Sequence, residues 1–299
     1  MRMTRAWRTV LLVLTAAAGL SAACAAQPDG VADTLPPVGE IRPVSSGADI
    51  VLPFRDYELS SAQLDIVERA TTLMARACVQ RFGLDWPLPR TEPTETTVVA
   101  DANRYGIIDR AEVAQRGYHP PPEPPRAPDD TSPSLDAVAV YAGKGASVVG
   151  GRPVPEGGCV GEARRQLAQG APAGLSGAEF ADLDQQIFQR AQADSRVSAA
   201  MAAWRACMAA SGYHYTDVWA ANDDARWTTP QPAPGEIATA TTDLDCRATS
   251  NLVPVWLAVE TAYQRQAIAR RSAEFDATAA KLRTMLENAS RIVTAPISK

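Results

Sequence analysis

Apolar residues recur at helical spacing through most of the chain. Leu64, Val67, Ala70, Met74, Ala77 and Cys78 form one stripe, which predicts a helix from Ser60 or Ser61 to about Phe82. Gly83 follows as its cap, because glycine adopts the left-handed conformation without steric cost. The same reading predicts a short helix from Asp109 to Arg116 closed by Gly117-Tyr118, and a helix starting near Cys159. It predicts another from about Gly177 to Ser211, with a break near Asp194-Ser195. The last helical region runs from about Glu236 to Thr294, and Pro254 starts a new segment or kinks it. Phe275, Ala279, Leu282, Leu286, Ala289 and Val293 alternate spacings of four and three, a seam of coiled-coil type. That seam needs a surface, either the chain's own body, an envelope protein partner or a second copy. Leu135 to Tyr141 alternates apolar and polar positions and reads as a short strand.

Proline and glycine interrupt these elements. His119 to Pro133 (HPPPEPPRAPDDTSP) excludes a helix, and the run from Ala142 to Gly158 extends the excursion. The expected fold is mainly α, an irregular helical bundle with long Pro/Gly-rich loops. Residues 25–50 carry Pro, Gly and Ser without periodicity and read as a flexible tether, with an r.m.s. reach of roughly 25–30 Å. The expected organisation is a signal peptide at 1–23, a tether at 24–50 and a helical domain at 51–299. Two sub-repeats, about 51–170 and 171–299, are a further reading of that domain.

The first residues specify an address. Arg2, Arg5 and Arg8 precede an apolar stretch from Val10 to Ala18, and small residues lead to Cys24. This is the layout of a secretory signal peptide. The apolar stretch falls short of the roughly 20 residues of a spanning helix. Leu20-Ser21-Ala22-Ala23-Cys24 resembles a bacterial lipobox, in which Cys24 becomes the first mature residue and is lipidated. Cleavage after Ala25 or Ala26, giving a secreted protein, is the alternative.

Four further cysteines remain: Cys78, Cys159, Cys207 and Cys246. An even number in an oxidising compartment reads as two disulfides, with three connectivities open. A weak internal repeat favours one of them. Arg76-Ala77-Cys78 is followed by Gly83 and Trp86, and Arg205-Ala206-Cys207 by Gly212 and Tyr215. A second cysteine follows each unit at an expected helix start, Cys159 after Gly157-Gly158 and Cys246 after Asp243. The expected bridges are therefore Cys78–Cys159 and Cys207–Cys246.

The formal charge of −5 becomes −8 once residues 1–23 are removed, since three arginines and no acids go with them. An acidic surface argues against nucleic acid, whose phosphates require cations, and against electrostatic docking on anionic lipid. Nucleophile-elbow, phosphate-loop and dinucleotide motifs are absent from the sequence. Gly143-Lys144-Gly145-Ala146-Ser147 is a mobile loop on this reading. No cofactor or metal is expected: His119 and His214 each follow Gly-Tyr, without the spacing that would pair them on a metal. Asp182 with Asp184, Asp223 with Asp224, and Asp243 with Asp245 could serve as acid–base pairs, although Asp243 also suits a helix N-terminus. Tyr213, Tyr215, Trp219 and Trp227, with Asp217, offer stacking faces beside a carboxylate. They form either a platform for a sugar or cationic ligand, or a lid folded back over the helices.

The export cysteine, YGIIDRAEVAQRGYHPP, WRACMAASGYHY and IATATTDLDC with AVETAYQRQ together resemble a group of predicted actinobacterial lipoproteins, over most of the mature chain. The resemblance implies a cell-envelope location and carries no activity or catalytic residues. The expected function is a lipid-anchored extracytoplasmic binding or accessory component. A ligand- or cell-wall-glycan-binding lipoprotein, and a hydrolase of envelope polymers, are the alternatives.

Overall fold

A computed structural model describes residues 35–87, 101–122 and 132–295. Ten α-helices follow one another among these residues: α1 (Ser61–Gln80), α2 (Arg110–Arg116), α3 (Leu135–Ala142), α4 (Gly158–Leu167) and α5 (Gly177–Gln192) come first. Then come α6 (Ser195–Ala210), α7 (Val218–Asn222), α8 (Pro234–Thr249), α9 (Leu252–Arg270) and α10 (Ser272–Thr294). The chain is mainly α, as the helical periodicity predicts, and carries two disulfides. Cys24 and the signal segment lie outside the described residues, as does most of the proline-rich stretch after His119.

Local chemistry fixes the helix ends. Ser60 accepts a hydrogen bond from the Gln63 amide while the Gln63 side chain accepts from the Ser60 amide. Ser176 and Glu179 repeat that reciprocal cap at the start of α5. Asp194 accepts from the Arg196 amide and so divides α5 from α6. The break between α8 and α9 falls at Asn251, whose φ of 52° is left-handed. Pro254 therefore sits in the first turn of α9, where its missing N–H would have no partner anyway.

Two local expectations change. Leu135 to Tyr141 is helix, not strand: Ser134 accepts from the Ala137 amide, Gly143 ends the helix, and Ala137 and Val140 share the buried face. A hairpin appears instead within the glycine-containing run, pairing β1 (Val148–Val149) with β2 (Arg152–Pro153) across Gly150-Gly151. Glycines at both turn positions suit the tight hairpin connection.

The bridges are Cys78–Cys159 and Cys207–Cys246, the pairing that the internal repeat favours. The first ties the end of α1 to the start of α4. The second ties α6 to the C-terminal part of α8, so Cys246 lies near a helix end and not at a helix start. Each bridge would contribute roughly 4 kcal/mol by restricting the unfolded chain.

A small core around Cys78, Val79, Ala137, Val140, Cys159 and Ala163 joins α1, α3 and α4. A larger core gathers Phe54, Tyr105, Val113, Trp204, Met208, Leu252, Trp256 and Phe275. It draws residues from both sides of position 170. Ala289 of α10 meets Ala70 and Leu167, with Val293 alongside, so the C-terminal seam is covered in part by the chain's own α1 and α4. The described residues from Pro36 onward form one compact unit. The body takes up the chain from Pro36: Ile50 and Leu52 are buried, and the Asp49 carboxylate is held by the amides and hydroxyls of Ser45 and Ser46.

The α3–α4 crossing depends on backbone contact. A Cβ at Gly143, which has a φ of +67°, would lie 2.3 Å from the Gly158 nitrogen. Gly143→Ala should destabilise the fold by about 2 kcal/mol or more in denaturant titration. Gly177→Ala, which opens onto free space in the first turn of α5, should be neutral or stabilising by up to about 1 kcal/mol. Equal effects would contradict the close crossing.

Candidate functional site

The aromatic segment is built as a cover. Trp219 packs edge-on against buried Trp256, and Trp227 stacks with Tyr118 at 6.0 Å. Trp227 donates its indole N–H to the Ala221 carbonyl. Tyr215 donates to Asp224 at 2.9 Å and receives Arg226 at 2.6 Å. Burial and the Asp224 charge push the Tyr215 hydroxyl up to about 12. Asp217 accepts from the Trp219 and Ala220 amides and starts α7. Tyr213 lies half-buried against the main core, and His214 is exposed. Asp217 is therefore engaged in capping, and the rings of Tyr213, Tyr215, Trp219 and Trp227 lean on the body.

The adjacent acids separate. Asp182 accepts from Gln186, whereas Asp184 accepts two bonds from Arg104 at 2.8 and 2.9 Å. Asp223 meets Asn222, while Asp224 pairs with Arg226. Asp245 is exposed beside Arg110, and Asp243 is fully buried inside α8, away from a helix N-terminus. Among the described residues no group of three or more His, Cys, Asp or Glu side chains could hold a metal ion. No described helix is long and apolar enough to cross a membrane.

Sequence reasoning missed a buried ionic core. Asp243 accepts from the Trp204 indole at 2.7 Å, the Tyr118 hydroxyl at 3.1 Å and two nitrogens of Arg247. Arg247 also donates to the Tyr105 carbonyl. Glu260 of α9 accepts from Arg104, from the Tyr105 hydroxyl at 2.9 Å and from Gln264. Burial raises the Glu260 carboxyl above its ordinary range, and Arg104 opposes that shift. Gln264 accepts the Phe54 amide, which fastens the N-terminal arm to α9. The available signal was polar residues at i, i+4 on apolar stripes: Asp243 with Arg247, and Glu260 with Gln264.

Glu236, near the start of α8, is a further buried acid. One of its oxygens accepts the Tyr118 amide at 2.8 Å and faces His119 Nδ1 at 2.7 Å. Its other oxygen is buried without a partner among the described residues. His119 Nε2 lies 2.7 Å from the Thr229 carbonyl, which can only accept, so Nε2 carries a proton. A second proton must then lie between Nδ1 and Glu236. The Thr229 carbonyl first, and Glu236 next, raise the His119 pKa above its ordinary value. Gly117 makes room for this clasp. Its φ is +57°, and a Cβ there would meet Glu236 Oε1 at 2.7 Å.

An open cleft lies on the other side of α9. Its floor is one helical stripe of Pro254, Leu257, Ala258, Thr261 and Arg265, and its wall is the arm from Gly39 to Val51. The cleft holds about 330 Å³ and continues past Ala262 and Gln266 toward Pro36 and Pro37. Glu40 and Arg42 pair across the arm, and Ser45 and Ser46 engage Asp49. Among the described residues nothing pairs with the Arg265 guanidinium or the Thr261 hydroxyl. Comparison with models of known families, with curated proteins and with solved structures found no match.

The clasp has a defined pH dependence. A raised histidine pKa in the folded state stabilises fully below the unfolded value of 6.5, and that stability is lost as pH rises through the folded value. The melting-temperature advantage of the wild type over His119→Gln should be largest below that unfolded value and shrink on the alkaline side. A difference that does not change with pH would contradict the shared proton.

Proposed function

We propose that this chain is a binding component of the bacterial envelope, exported and anchored through a lipid on Cys24. The observation that carries the binding reading is the cleft along the outer face of α9. Its volume of about 330 Å³ falls in the range of small-ligand sites, and its mixture of apolar walls with a few free polar groups matches their composition. Two disulfides support an oxidising compartment. The lipobox-like residues before Cys24 support the anchor.

Expression of the full chain in its own envelope tests the reading. Wild type should incorporate an alkyne-tagged fatty acid and sediment with membranes, whereas Cys24→Ala should lose the label and leave the lipid-modified fraction. An unlabelled wild type would overturn the anchor. Failure of any envelope extract fraction to protect the 36–51 segment from hydrogen exchange would overturn the binding role.

A further inference from the structure

The α9 helix is apolar on two faces, which is unusual for a helix at the side of a bundle. Its inner face carries Leu252, Val253, Trp256, Val259 and Tyr263 into the core. Its outer face carries Pro254, Leu257, Ala258 and Ala262 into the cleft. The arm adds Pro36, Pro43, Val44 and Val51 to the cleft wall. Val51 of that wall is 72% exposed, one of the large apolar side chains that the body leaves in water. An apolar surface of this kind marks an interaction site.

The polar groups of the cleft narrow its ligand. Formal charge balances there, with Arg42 and Arg265 against Glu40 and Asp49. Hydrogen-bonding capacity does not balance. The Glu40 charge meets Arg42, and the Asp49 carboxylate accepts from Ser45 and Ser46, which hold it below the ordinary carboxylate range. What remains is a guanidinium with donors and no acceptor, beside a threonine hydroxyl one helical turn away. A planar guanidinium favours carboxylate or phosphate oxygens. The stripe from Pro254 to Gln266 is about 18 Å long at the helical rise per residue. That groove is long, with one unpaired guanidinium on its floor.

We infer that the cleft binds a single-chain amphiphile with an anionic head group. The head bonds to Arg265 and Thr261, and the chain lies along Leu257, Ala258 and Pro254 under the arm. Burial of the chain supplies the affinity, at about 0.8 kcal/mol per methylene. Arg265 supplies the preference for an anion. This inference rests on the binding role proposed above and names the ligand class of that same cleft.

Calorimetric titration of the mature chain carrying Cys24→Ser tests it. The probes are dodecanoate, dodecyl phosphate, 1-dodecanol and butanoate, each kept below the concentration at which it aggregates. Dodecanoate or dodecyl phosphate should bind saturably and at least about tenfold more tightly than 1-dodecanol, and butanoate should not bind. The relative affinity of the two anions distinguishes a carboxylate from a phosphate head. Arg265→Gln should erase the preference for the anion and leave 1-dodecanol binding within about twofold. Ala258→Trp, on a half-exposed helix face, should abolish binding of every chain while the melting temperature stays near wild type. Binding unaltered by both substitutions would overturn the inference. So would the absence of saturable binding by either anion. If envelope extract still protected the 36–51 segment in that second case, the binding role would stand and the amphiphile alone would fall.

Discussion

Three carboxyl groups on α8 and α9 without solvent contact, Glu236, Asp243 and Glu260, set the constraint on which this fold depends. An uncompensated buried charge is far costlier than a surface one, so each must be met by donors. Asp243 is met from α6, α8 and Tyr118; Glu260 by Arg104, Tyr105 and Gln264; Glu236 by the Tyr118 amide and His119. Most of these donors belong to residues 104–119, a segment with only the short α2 as regular structure. Carboxylates on α8 and α9 thereby hold a largely irregular segment against the helices.

The same constraint positions the cleft. Gln264 is held by Glu260 and Asp184 on one side, and its side-chain oxygen accepts the Phe54 amide. That bond fixes the arm's end. Arg196 fixes its start, donating to the Pro36 carbonyl at 3.0 Å. Strung between these points, residues 36–51 run beside α9 and wall the cleft. The ionic face of α9 thus determines where its apolar outer face stays open.

Much of the helical framework was legible in the sequence because its signals are local. Ser60 with Gln63, Ser176 with Glu179, and Asp194 are caps within three residues of the helices they start. The bridges were legible because the R-A-C…G repeat marks equivalent helix ends. Leu135 to Tyr141 misled because its alternation also fits a short helix that buries only Ala137 and Val140, and the Ser134 cap decides between them. The ionic core was not legible as a site. Arg104 and Glu260 are 156 positions apart, and nothing local announces their contact. The cleft was hidden for a related reason: its wall, read as featureless tether, acquires a role only when Arg196 and Gln264 pin it. The aromatic segment read as stacking faces with a carboxylate; in the fold Asp217 is drawn into a helix cap.

The most direct test of this account is a double-mutant cycle on Arg104 and Glu260, read by denaturant unfolding. Arg104→Met alone strands a buried carboxylate and should cost about 3–5 kcal/mol, and adding Glu260→Gln should recover a large part of that loss. Additive effects of the two substitutions, with no recovery in the double variant, would contradict the claim that buried charge pairing holds the 104–119 segment and α9 together.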